Sequence, residues 1–177
     1  HKLVVRNLAW SADEISLQPR PDNFADTEQH LTAMKADIII AAFGFNESFA
    51  GPEEITNFED RLKKYLTSLA GKAYNGKSAP LIVLISPIAN ENIDLVPAAD
   101  LNNNSLRIYT TSMKKIARTK NVGFIDVFSK TETIMNRSGI DHTINGSHLN
   151  KKGYKLFGEI LFENLFQKPK SPINEDI

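Results

Sequence analysis

The chain has 177 residues, enough for one domain that buries a substantial core without covalent staples. Lys plus Arg and Asp plus Glu number 21 each, and no run of like charge is long enough to form the basic patch of a nucleic-acid binder, so nucleic acid is not an expected partner. Cysteine is absent, which excludes a thiol nucleophile and thiolate metal sites, and the longest apolar runs fall far short of the ~20 residues of a membrane span.

In chain order, Leu3, Val4 and Val5 read as a short first strand, and the segment around His30 reads as a helix with His30 on its polar side. Residues 38–43 and 81–85 are continuous apolar runs bounded by Asp, Gly and Pro, the pattern of strands buried on both faces. Between them Ile55, Phe58, Leu62, Tyr65, Leu66 and Leu69 recur at helical spacing, opposite Glu53, Glu54, Glu59, Asp60, Lys63 and Lys64. Pro52 and Gly71 punctuate that helix. The alternation continues as a helix over 106–117, a strand over 123–127, a short helix over 130–136 and a final helix over 151–166 capped by Asn150. This order predicts an α/β domain over residues 1–166, a parallel sheet covered on both faces with right-handed crossovers, followed by a tail or linker over 167–177.

Ligands of an open parallel sheet bind beyond the carboxyl ends of its strands. The segments there are Asn7 to Asp13, then Phe43, Gly44, Phe45, Asn46, Glu47 and Ser48, then Ser86, Pro87, Ile88, Ala89, Asn90 and Glu91. A fourth candidate is His148, in the turn Asn145, Gly146, Ser147, His148 ahead of the final helix, where an imidazole could shuttle protons near neutral pH. Bland readings stand beside these. Ser86 would satisfy backbone groups at a strand end, Ser48 would cap, and Glu47 would line a pocket or cap the long helix. Trp10 would pack in the core or form a pocket wall. His142 would sit in a solvated loop, and neither His1 nor His30 is an expected ligand. No metal site is expected.

Taken together, these blocks resemble the SGNH hydrolase superfamily of GDSL-like lipases and acylhydrolases. Gly44, Phe45 and Asn46 match its Gly-x-Asn block. His148 with Leu149, Asn150, Gly153 and Tyr154 matches its histidine block, and Asn7 to Ala12 is similar to its glycine block. Ser86 to Glu91 is similar to a bacterial subgroup often found in large exported proteins, which favours an exported or periplasmic setting. The resemblance implies a three-layer α/β/α flavodoxin-like fold and a serine esterase that needs no cofactor. Its substrate would be an O-acylated small molecule or glycan. His148 would be the general base and acid, Asn145 its orienter, Asn46 and Ala12 the oxyanion donors, and Gly44, Asn90 and Glu91 substrate contacts, with further shaping from residues 89–104.

The sequence departs from the family pattern at three places. Ala12 stands where glycine is usual, which matters only if that position needs positive φ. Asn145 stands where aspartate is usual, with Asp141 as a substitute partner for His148. No Gly-Asp-Ser block precedes Leu3, so the first strand and the nucleophile are expected upstream of His1, in a missing N-terminal segment of the same protein. A catalytically inactive module of the same fold, binding glycan or a protein, is the competing reading. A nucleotide-binding flavodoxin-like domain would require a phosphate loop that residues 7–13 do not supply.

Overall fold

Apolar residues placed every three or four positions wind residues 55–70 into a helix, and the continuous apolar runs extend into strands that lie side by side. A computed structural model describes residues 3–93 and 99–166. Its elements are α1 (Thr27–Ala33), β1 (Ile38–Ala42), α2 (Ile55–Ala70), β2 (Leu81–Ile85), α3 (Ala99–Thr119), β3 (Gly123–Ile125), α4 (Val127–Ser138) and α5 (Lys151–Phe166). Two short 3-10 turns, Glu47–Ala50 and Pro52–Glu54, join β1 to α2. The strands form one parallel sheet in the order β1-β2-β3, with Ile38 beside Leu81 and Val83 beside Gly123.

Alternation along each strand sorts the side chains into two cores. Ile39, Ala41, Ile82 and Leu84 face α2 and α3, where they meet Phe58, Leu62, Leu66, Tyr109, Met113 and Ile116. On the opposite face Ile85 and Ile125 pack with Val127 and with Ile160 of α5. The fold is therefore three-layered, α/β/α. Its second face is covered unevenly: Ile38 (53% exposed), Ile40 (48%) and Leu81 (69%) lie bare at the β1 side. Among the described strands β1 pairs on one edge only, with β2.

Several boundaries differ from the sequence expectations. Leu3, Val4 and Val5 form no strand and are exposed, because a strand needs a ladder partner and none of the described strands lies beside them. The first run ends at Ala42 rather than Phe43. The third helix is longer than 106–117, extending back to Ala99. The fourth begins at Val127, earlier than 130, because Asp126 accepts from the Ser129 N–H at 2.9 Å as an N-cap and so ends the strand at Ile125. The expected tail over 167–177 lies outside the described residues.

Candidate active site

Buried polar groups tie the loop after β1 to the segment at Ile15, and the loop after β2 to the loop between α4 and α5. The turn after β1 is organised by Glu47, whose carboxylate accepts from the Gly44 N–H (2.8 Å) and reaches across to the Ile15 N–H (3.0 Å). Glu47 is 5% exposed, and burial pushes its carboxyl above the usual glutamate range, against the opposing pull of those backbone donors. It thus neither lines a pocket nor caps the long helix. Ser48 Oγ donates to the Phe45 carbonyl at 2.7 Å and closes the same turn. Gly44 (φ +100°) is required here: a Cβ would meet Met113 Sδ at 3.0 Å and Pro87 Cγ at 3.4 Å, which sets this loop against the one after β2.

The loop bearing Ala12 is fixed from both sides. Asn46 Nδ2 donates to the Asp13 carbonyl (3.3 Å), and Asp13 takes a two-pronged ion pair from Arg20 at 2.6 and 2.8 Å. The Arg20 guanidinium in turn lies 4.7 Å from the centre of the Trp10 ring, and Phe24 packs edge-on against that ring. Trp10 is half exposed, so it does not pack in the core. Ala12 has φ +62°, so this position does require the left-handed conformation that the family's glycine adopts without strain.

His148 is exposed, on the loop between α4 and α5. Its Nδ1 lies 3.0 Å from Asn145 Oδ1, and the same oxygen accepts from the His148 N–H at 3.0 Å. With Oδ1 as acceptor, Nδ1 carries the proton and Nε2 is left as the basic nitrogen. Ser147 Oγ lies 3.2 Å from Nδ1, on the Asn145 side of the ring. Among the described residues no serine hydroxyl hydrogen-bonds Nε2. Asp141 is exposed, and it is its backbone carbonyl that engages Asn150. Ser86 Oγ accepts from the Val127 and Phe128 N–H groups, both at 2.9 Å, and so closes the start of α4.

The loop is closed by bonds that the sequence reading did not foresee. Ile144 N–H donates to the His148 carbonyl (2.8 Å) and Asn150 N–H to the His142 carbonyl (2.9 Å). Asn90 and Glu91 were expected to contact substrate. Both are buried and bond this loop: Glu91 accepts from the His142 and Thr143 N–H groups, and Asn90 Nδ2 donates to the Gly146 carbonyl. His142, expected in solvent, is buried for the same reason, with Nδ1 3.4 Å from Glu91 Oε1. Of the segment expected to shape substrate, residues 94–98 lie outside the described set, and Asn102 and Asn103 at the start of α3 bond Asn90. A cavity of about 380 Å³ opens elsewhere, between α1 and α2, lined in part by Ile15, Leu31, Leu69, Tyr74 and Tyr65, whose phenol burial pushes up to about 12. No group of three or more metal-ligating side chains occurs among the described residues, and no helix there is long and apolar enough to cross a membrane.

A family model described as GDSL-like Lipase/Acylhydrolase matches residues 4–161. The chain belongs to this family. Solved structures similar to it include a variant of Axe2, an acetyl-xylooligosaccharide esterase from Geobacillus stearothermophilus, at TM-score 0.62 and 17% identity, covering 82% of this chain and 67% of that one. The acetyl xylan esterase AlAXEase aligns at TM-score 0.59 and 16% identity, covering 75% and 69%. A lipase/acylhydrolase from Enterococcus faecalis aligns at TM-score 0.53 and 18% identity, covering 79% and 67%. At these identities the likeness concerns the fold, which is the flavodoxin-like fold of this acylhydrolase family. The chain spans 62–69% of the length of the similar structures. No curated protein sequence matches it.

Proposed function

We propose that this chain is the histidine-bearing part of a serine esterase that removes acyl groups from an O-acylated substrate, an acylated carbohydrate being the favoured class. The observation that carries the reading is the pairing of an exposed His148 with Asn145 at 3.0 Å, which leaves Nε2 free to take a proton. In the first half-reaction a serine oxygen attacks the ester carbonyl while His148 Nε2 accepts its proton. The negative charge on the tetrahedral oxygen is met by Asn46 Nδ2 and the Ala12 N–H, donors of a kind worth about 10²–10³ in rate each. Collapse expels the alcohol, which takes the proton from His148, and water releases the acyl group by the same steps. Asn145 holds the tautomer without supplying the negative charge of an aspartate. Gly44 lets the Asn46 turn approach α3 and the loop after β2 closely.

The nucleophile belongs, in this reading, to a strand that precedes His1 and pairs with the free edge of β1. Support comes from the bare Ile38, Ile40 and Leu81 and from the absence, among the described residues, of a serine on His148 Nε2. The carbohydrate class draws its support from the printed activity of the Axe2 and AlAXEase neighbours. The test is fluorophosphonate labelling of the full-length protein with peptide mapping. Labelling of a serine upstream of His1, lost in His148→Ala, is the expected result. A full-length protein that takes no label would instead be the inactive binding module.

A further inference from the structure

Glu91 lies in the loop after β2 and is only 3% exposed, in a setting where a carboxylate without partners would be strongly unfavourable. Among the described residues, all of the hydrogen bonds to its carboxylate come from the loop between α4 and α5. Oε1 accepts from the His142 N–H at 2.8 Å, and Oε2 accepts from the Thr143 N–H at 2.7 Å and the Thr143 hydroxyl at 2.6 Å. A carboxylate can only accept, so the Thr143 hydroxyl must donate to it, and its own lone pair is left to accept from the Gly146 N–H at 3.0 Å. The other face of the same residue is held as firmly: the Gly146 carbonyl accepts from the Glu91 N–H (2.8 Å) and from Asn90 Nδ2 (2.7 Å). Asn90 is locked in turn by α3, through Asn103 Oδ1 on its N–H, Asn103 Nδ2 on its carbonyl and Asn102 Nδ2 on its Oδ1. Gly146 immediately follows Asn145, the residue that meets His148.

We propose that Glu91 and Thr143 are positioning residues for His148: they form a one-way hydrogen-bond relay from the loop after β2 to Gly146 that holds Asn145 against the His148 ring. The functional part rests on the esterase reading, while the structural part does not, and the two separate in the experiment. Thr143→Val preserves shape and removes both hydroxyl bonds, Thr143→Ser keeps them, and Glu91→Gln replaces an acceptor-only group with one that also donates.

In ¹⁵N-labelled chain, Thr143→Val is expected to lower exchange protection at Gly146 and Thr143 about tenfold. It is also expected to average the His148 ring nitrogens away from the Nδ1–H tautomer. Thr143→Ser retains both signatures, and protection in β2 and α2 stays unchanged, which separates the effect from loss of fold. Glu91→Gln follows Thr143→Val if it folds, and the threonine pair decides the matter if it does not. In the full-length enzyme Thr143→Val then lowers kcat about tenfold with KM unchanged. Wild-type protection at Gly146 and a wild-type His148 tautomer in Thr143→Val would overturn the relay. The spectroscopic changes in a protein whose wild type hydrolyses no ester would uphold the relay and remove the esterase reading instead.

Discussion

Ala12 holds a conformation that costs a side-chain-bearing residue on the order of 1–2 kcal/mol, against about 0.5–1 kcal/mol of extra chain entropy that glycine loses on folding. Ala12→Gly is therefore expected to stabilise the protein by up to about 1 kcal/mol, as read from urea unfolding. A loss of stability would mean that contacts of the methyl group outweigh the strain. Glu47 makes a prediction of opposite kind. Its folded-state value lies above the ordinary 4.5, so the native state binds the proton more tightly than the unfolded chain does. Its contribution is most favourable below about 4.5 and is lost as pH rises through the raised value. The stability of wild type minus that of Glu47→Gln should fall with rising pH across that window and then level off. A difference that grows with pH would show that the Gly44 and Ile15 bonds dominate over burial.

The residue scale is also where sequence reading reached furthest and failed most clearly. The three-residue spacing of Asn145 and His148 is a local signal, and the two side chains do meet. Glu91 and His142 are separated by 51 positions, and nothing in either neighbourhood announces that the loop after β2 and a late loop will share a buried carboxylate. Without that partner His142 looks like a polar residue bound for solvent. Glu47 was misjudged similarly, since its second partner, Ile15, lies 32 positions earlier.

At the scale of elements, α2 was legible because its apolar stripe and its punctuation by Pro52 and Gly71 agree. The start of α4 was hidden because Val127 and Phe128 prolong the apolar run of β3, and only the Asp126 cap separates them. The two internal glycines of α5 offer a matched comparison. A Cβ on Gly153 would lie 2.0 Å from the His142 carbonyl oxygen, whereas one on Gly158 meets nothing within 4 Å. Gly158→Ala should stabilise by about 1 kcal/mol through helix propensity. Gly153→Ala should destabilise by at least about 1–3 kcal/mol, because the loop backbone must move. Thermal unfolding of the pair checks this, and equal effects at both positions would show that the loop yields freely.

For the molecule as a whole, the parallel sheet and its covering on both faces followed from the alternation of apolar runs, but the expected first strand did not form. Leu3, Val4 and Val5 carry the right residue types and lack a described ladder partner, and β-propensity without a partner does not make a strand. The bare face around Ile38 and Ile40 should make the 177-residue chain self-associate. Ile40→Lys is expected to reduce that association in sedimentation velocity, with stability changed by no more than about 0.5 kcal/mol. A monomeric wild type across the micromolar range would contradict this.

The edge of β1 that is left unpaired among the described strands has a kinetic consequence as well. Two copies of the chain can meet there only by collision, at a rate that grows with concentration, whereas a segment of the same polypeptide would search the same edge at an effective concentration of about millimolar. Below that concentration, pairing within one polypeptide would precede pairing between copies.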